Sequence, residues 1–394
     1  MDSDARIQYK KAAQIYYLTF KNGGFMTQEN DPIEKRLSEL LNRLEDKNEN
    51  YLRETFSGRM NALSLTDRKE SGSGYNEEEK NIVLDLAEIY FNRVDQTARA
   101  LESLSPENKP RIDISGPQGN HKSTTAFLFA ADASNTRIPD ELWQRVMLQE
   151  VRQILFSASP FLYLNSDRGF LADVYARLLD AHRKLPEEYP HDLAFYKKYA
   201  ESSRFLRSIV GAYATQKGVP LIVDSTMGSP AALEEPLKSK QKGQPLHIVL
   251  LGAPDEVRLE SMKARAARGY VQSDLLVTEG QRKKFDDNLP LIFKTYDTIY
   301  LAYTSAVDSA PVVAAKIDNK ARMLTVYNKA DLKKFYEIYP VCVNLLGSCL
   351  LDDYQRAFIE EPFSARKTFG GYFDKLNGVR QAFAHDAASF DLKK

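Results

Sequence analysis

Cysteine, tryptophan and histidine are scarce in this 394-residue chain, at two, one and five copies. Cys342 and Cys349 lie in an apolar stretch with no histidine cluster nearby. A disulfide framework or a Cys/His zinc site is therefore not expected, and two buried thiols in a reducing compartment are. His182, His191, His247 and His385 share no ligand spacing. Net charge is missing as well, with 54 Lys and Arg against 54 Asp and Glu. That balance gives no electrostatic footprint for nucleic acid or a membrane surface. The chain has no run of eighteen apolar residues, and Met1-Asp2-Ser3-Asp4 does not lead into a basic and then apolar segment. Neither a membrane-spanning helix nor a secretory signal is expected, although a signal for a specialised secretion machine need resemble neither. Aromatics are plentiful, with 21 Tyr and 20 Phe, but without a basic stripe they indicate core rather than an RNA-stacking platform.

What the sequence does hold is concentrated at Arg111 to Thr125. A short extended run ends in Gly116, Pro117, Gln118, Gly119, Asn120 and His121, and then Lys122, Ser123 and Thr124 open a stretch that reads as a helix. The spacing is that of a phosphate-binding P-loop. Backbone N–H groups turned inward by the glycine loop, with the positive end of the next helix, form a nest for a polyphosphate. In that motif Lys122 reaches the β and γ oxygens and Ser123 holds Mg²⁺, so ATP and Mg²⁺ are the expected cofactors. His121 stands where the motif has glycine. The alternative is an ordinary glycine turn between a strand and a helix.

The rest of the chain is arranged around that loop. Asp31-Pro32-Ile33-Glu34 reads as a cap, a first-turn proline and a capping-box glutamate, followed by leucines at helical spacing to residue 45. Residues 68–78 read as a loop, and a second helix follows Asn76. Strands are expected near 111–115, 160–165, 220–224, 246–252 and 298–303, with helices at 122–131, 139–157, 168–183, 193–217, 229–242, 254–268 and 279–294. This alternation predicts an α/β fold with a parallel sheet of about five strands and helices on both faces. The regions Val312 to Ile317 and Met323 to Val326 read as a hairpin. Residues 329–394 read as helical, including Leu350 to Phe358 and Leu376 to Phe383. The resulting partition is a helical region at 1–107, a core at 108–318 and a C-terminal region at 319–394.

Several strand ends carry chemistry: the P-loop, then Asn165-Ser166-Asp167-Arg168, then Asp224-Ser225-Thr226. Ligands bind beyond the carboxyl ends of strands in open α/β sheets, so these segments are expected to converge.

Together with the run from Tyr189-Pro190 to Glu201, the segment Ala253-Pro254-Asp255 to Arg265-Ala266-Ala267-Arg268-Gly269, and Asp287-Asn288-Leu289-Pro290, they resemble the zeta-toxin group of P-loop kinases. The resemblance spans about residues 108–318 and extends to the related effector kinases that phosphorylate NAD. It implies an ATP-dependent phosphotransferase, acting on a sugar hydroxyl of a nucleotide sugar or of NAD, as a toxin or effector. It implies Asp167 as general base, although Asp is also a favoured helix N-cap. Asp173 is the poorer candidate, since it falls within the helix. Arg265 and Arg268 become lid arginines over the transferring phosphoryl group, with Arg258 and Arg282 as further candidates. Asp224 would hold the Mg²⁺ shell through water, while Thr226 and Glu201 would contact substrate. Strand-ending turns and an ordinary helical glutamate are the alternatives for these three.

An inhibitory protein partner of antitoxin type follows from the same resemblance, as does action in a cytoplasm, the cell's own or that of a host. Two other functions stay open at this point: an ATP-binding switch without turnover, and a polynucleotide kinase.

Overall fold

The computed structural model describes residues 33–44, 75–126, 129, 161–165, 170–180, 193–228, 230–267, 275–307, 309–347, 355–359, 363–365, 367–369 and 371–379. Eight strands form one sheet in the order β2-β3-β1-β4-β5-β6-β7-β8. They are β1 (Arg111–Ser115), β2 (Leu162–Leu164), β3 (Leu221–Ser225), β4 (Leu246–Gly252), β5 (Thr298–Tyr303), β6 (Val312–Asp318), β7 (Met323–Val326) and β8 (Gln355–Phe358). The first five are parallel, as the strand–helix alternation predicts. The expected hairpin β6–β7 continues the same sheet with antiparallel pairing.

The helices are α1 (Ile33–Asn42), α2 (Glu77–Ala100), α3 (Leu171–Asp180), α4 (Leu193–Lys217), α5 (Glu234–Gln241), α6 (Asp255–Ala267), α7 (Leu275–Thr295), α8 (Lys329–Ile338) and α9 (Pro340–Gly347). Residues 122–126 and 371–379 are also helical. Among the described residues no helix is long and apolar enough to cross a membrane.

One expectation fails at residues 355–358, which belong to a predicted helix and form β8 instead. Its side chains are mostly exposed, so apolar burial does not hold it there. Parallel pairing with β7 does, flanked by Gln355 N–H to the Arg322 carbonyl (2.9 Å) and Ile359 N–H to the Val326 carbonyl (3.0 Å). An open sheet edge supplies hydrogen bonds that no side-chain periodicity announces. Residues 350–354 of that predicted helix lie outside the described residues.

The two faces of the sheet differ. On one, Ile112, Ile114, Tyr163, Ile222, Val249, Leu251 and Tyr300 form a single apolar cluster, covered by Ala126 and Phe129 after the loop and by Phe369, Phe373 and Leu376. On the other, two apolar clusters flank β1. Leu162, Leu164, Leu221 and Val223 pack with α1, α2, α3 and α4. Leu246, Ile248, Leu250, Ile299 and Leu301 pack with α7 and α8. Between them β1 presents Arg111 and Asp113, both buried. Arg111 Nε and Nη2 donate to the two Asp113 oxygens at 2.9 and 3.1 Å, and the Tyr296 hydroxyl donates to Asp113 Oδ2 at 2.7 Å. Arg207 bonds Glu235 at 2.9 Å, and Glu235 lies 3.4 Å from Arg111.

The N-terminal helices are part of this core. Asn76 caps α2 in a reciprocal box with Glu79, with both bonds at 2.9 Å. Glu79 also accepts from Lys198 (2.7 Å) and Tyr199 (2.5 Å) on α4. Burial alone would raise the Glu79 pKa, but these bonds bring it below the usual carboxylate value. Arg36 on α1 reaches Asn81, Asp85 and Glu88 on α2, and Arg43 stacks over Phe91 and Tyr213.

Candidate active site

β1 and β4 are neighbours in the sheet, yet β2 and β5, the strands that follow each of them, lie toward opposite edges. Ligands of open α/β sheets bind at the carboxyl ends beside such a switch point. The loop 116–121 leaves β1 there. Two of its glycines are dictated by contact. A Cβ on Gly116 would stand 2.8 Å from the Leu251 carbonyl oxygen of β4. Gly119 has φ +86°, and a Cβ there would meet the Arg258 carbonyl oxygen at 2.8 Å.

His121 adopts φ 57°, the left-handed conformation that the motif's usual glycine takes at little cost. In an L-residue that conformation costs roughly 1–2 kcal/mol. The carbonyl of His121 accepts from the Thr125 N–H (3.0 Å) and hydroxyl (3.1 Å), so the helix begins at Lys122 despite the substitution. The Lys122 ammonium arches over the loop and donates to the carbonyls of Gly116 (3.0 Å) and Pro117 (3.1 Å).

The loop is held from below and from the side. Asn120 Nδ2 donates to the Leu251 carbonyl at 2.6 Å and lies 3.2 Å from the Tyr339 hydroxyl, which itself donates to Leu251 at 3.0 Å. Burial pushes the Tyr339 pKa well up, which keeps that hydroxyl protonated as a donor. From α6, Arg258 Nε donates to the Gln118 carbonyl at 3.0 Å, and its Nη1 donates to Asp255 at 2.7 Å. Arg282 on α7 donates to the same Asp255 oxygen at 2.6 Å and to the Ile338 carbonyl at 2.7 Å. These contacts make Arg258 a brace of the loop, with Arg282 sharing its Asp255 partner.

At the end of β3, Asp224 gathers three donors on a single oxygen. Ser123 Oγ lies 2.8 Å from Oδ2, Asn165 Nδ2 2.9 Å and the Tyr163 hydroxyl 3.5 Å. Register explains the convergence: Leu164 pairs with Val223, so the next residues along, Asn165 and Asp224, are neighbours. The predicted meeting of the P-loop with the ends of β2 and β3 is thus found. Thr226 is half-buried directly after β3, where Ser225 Oγ accepts from the Met227 N–H at 3.0 Å and closes the strand. Glu201, in the third turn of α4, forms an ion pair with Arg204 of the same helix. Asp173 sits in the first turn of α3, as expected, and accepts from the Tyr90 hydroxyl of α2.

Asp167 and Arg268 lie outside the described residues, and of Arg265 only the backbone, in α6, lies within them. His247 and Cys342 are buried, and Cys342 is a free thiol whose pKa burial raises strongly. Cys349, His182, His191 and His385 lie outside the described residues.

Sequence reasoning did not name Tyr163, and named Asn165 only as part of the strand-end segment Asn165 to Arg168. Their signal was position alone, at the last residues of a strand expected to end beside the P-loop.

No protein-family model and no curated protein matches this chain. Among solved structures it is similar to a native AvrRxo1-ORF1:ORF2 complex, at 14% identity, with 79% of this chain and 90% of that one covered and a TM-score of 0.45. It is also similar to the AvrRxo1-ORF1:ORF2 structure with ATP, at 13% identity, 67% and 74% coverage and a TM-score of 0.40. A third is the PezAT chromosomal toxin–antitoxin system of Streptococcus pneumoniae, at 13% identity, 78% and 98% coverage and a TM-score of 0.36.

Proposed function

We propose that this protein is an ATP-dependent small-molecule kinase of zeta-toxin type. It would transfer the γ-phosphoryl group to a sugar hydroxyl of a nucleotide sugar or of NAD, as a toxin or effector acting in a cytoplasm. The observation that carries the reading is the P-loop whose Ser123 lies 2.8 Å from the strand-end carboxylate of Asp224, with Lys122 over the loop carbonyls.

In the transfer, the acceptor oxygen forms a bond to the γ-phosphorus as the bond to the ADP oxygen breaks. ADP leaves with the electron pair, and the acceptor proton passes to Asp167. Lys122 exchanges its loop carbonyls for β and γ oxygens, and the loop N–H groups hold the rest of the phosphate charge. Arg265 and Arg268 close on the equatorial oxygens. Thr226 and Glu201 contribute to acceptor binding. The hydroxyl of Ser123 and carboxylate of Asp224 are both hard oxygen donors, which suits Mg²⁺, an ion that keeps several of its waters. When bound, it neutralises charge on the β and γ oxygens. A protein inhibitor of antitoxin type would act by covering this crevice.

The test is a mass-spectrometric screen of the full chain with Mg-ATP against nucleotide sugars, NAD and nucleosides. A product heavier by one phosphoryl group, absent with Asp167→Asn and strongly reduced with Lys122→Ala, is expected. Nucleotide binding without product across the whole set would replace the kinase with a switch. Salt-sensitive binding of oligonucleotides, with transfer to their ends, would replace it with a polynucleotide kinase.

A further inference from the structure

We infer that Asn165 is a positioning residue for Asp224 and thereby sets the affinity of the nucleotide site for its divalent cation. This inference rests on the kinase reading above and gives one more residue of that site a distinct task.

Asn165 follows the last residue of β2 and is only 8% exposed. Its carbonyl accepts from the Phe170 N–H at 3.2 Å, which ties the backbone, and its amide Nδ2 donates to Asp224 Oδ2 at 2.9 Å. Tyr163 adds a second, longer contact to the same oxygen at 3.5 Å from the same strand. Ser123 provides the third donor, from the loop helix. Oδ1 of Asp224 accepts from none of these three.

The chemistry of the donors distinguishes their roles. Ser123 is the group that a cation would draw away, since a hydroxyl is also a metal ligand. An amide N–H and a phenol are far poorer ligands and would stay on the carboxylate. With Oδ2 held from β2, the Asp224 carboxylate is placed before any ion arrives, and Oδ1 would remain for a water of the ion's shell. An uncharged donor suits this task, because it orients the carboxylate without neutralising it. A lysine in the same place would compete with the ion for the same charge. Partners of this kind, one step removed from a metal, commonly change metal affinity by about 10–100-fold.

The test is calorimetric titration of ADP into wild type, Asn165→Ala and the near-isosteric Asn165→Leu, each with excess MgCl₂ and again with EDTA. Binding of Mn²⁺ to the ADP complexes is followed by electron paramagnetic resonance. In wild type, Mg²⁺ is expected to tighten ADP binding. In both variants the metal-free ADP affinity should stay within about twofold, while Mn²⁺ affinity falls about 10-fold or more. A purely space-filling role would spare Asn165→Leu, and that outcome overturns the inference. So does an unchanged Mn²⁺ affinity in both variants, or ADP binding by wild type that ignores Mg²⁺. In these cases the P-loop reading survives. Failure of wild type to bind ADP at all would remove both.

Discussion

The two ends of β1 make opposite uses of polar residues. At its start, Arg111 and Asp113 are sealed inside the protein and paired with each other, with Tyr296 and Glu235 around them. At its end, Ser123, Asn165 and Asp224 also meet, yet Asp224 is only partly buried and Lys122 rests on backbone carbonyls. A buried ion pair is costly to split, because either partner alone is a charge without water. A lysine on carbonyl oxygens is easily reassigned to a stronger anion. The first arrangement therefore belongs to stability and the second to ligand binding, although only about one strand length separates them.

The largest effect expected from this contrast is at the closed end. Asp113→Asn leaves the buried Arg111 guanidinium with only the longer contact to Glu235 and should cost about 3 kcal/mol, read as a fall in the urea midpoint at unchanged slope. At the open end Lys122→Ala should lower phosphoryl transfer by about 10²–10³-fold, by analogy with loss of one transition-state donor. Its unfolding free energy should move by less than about 0.5 kcal/mol. A stability loss as large as that of Asp113→Asn would erase the distinction between the two ends.

Arg258 joins them, being buried like the first group but bonded to the loop like the second. Arg258→Met should cost about 1–3 kcal/mol and also weaken ADP binding, measured by calorimetry on the same samples. Stability loss with unaltered ADP affinity would assign Arg258 wholly to the closed set.

The smallest effect concerns His247, near the start of β4 and edge-on to Phe369 and Tyr372. Burial pushes its pKa down to about 4 from an ordinary 6.5, against the upward pull of Asp297 and with the downward push of Lys316 and Lys320. The unfolded chain thus binds a proton that the folded one refuses. Stability contributed by the neutral ring is complete above pH 6.5 and falls as pH drops toward 4. From pH 6.5 to 5.5 wild type should lose about 1 kcal/mol more than His247→Phe, measured by denaturant unfolding at each pH. Equal losses would mean that the ring titrates normally in the folded state.

Much of this was legible in the chain. Continuous apolar runs such as Ile248 to Leu251 announce strands buried on both faces, and Gly116, Gly119, Lys122 and Ser123 announce the loop. The closed end was less legible, because Arg-Ile-Asp-Ile-Ser reads as an extended run ending in a motif. Only the period-2 geometry shows that Arg111 and Asp113 share a face. Arg258 was visible as a basic residue on a helix, but its reach to the Gln118 carbonyl depends on how α6 lies against the loop. Asn165 needed the register of β2 on β3, which spacing does not supply. β8 was hidden because its pairing is made by backbone rather than by burial.

The charged pair on β1 also bears on how the sheet assembles. A one-residue slip of the central strand would turn Arg111 and Asp113 into the continuous apolar cluster of the opposite face, and bring Ile112 and Ile114 against Tyr296 and Glu235. The apolar stretches Leu221 to Val223 and Ile248 to Leu251 of the strands beside β1 would tolerate such a slip better. The pair thus penalises a misaligned sheet, because a slipped register would bury two charges away from their partners.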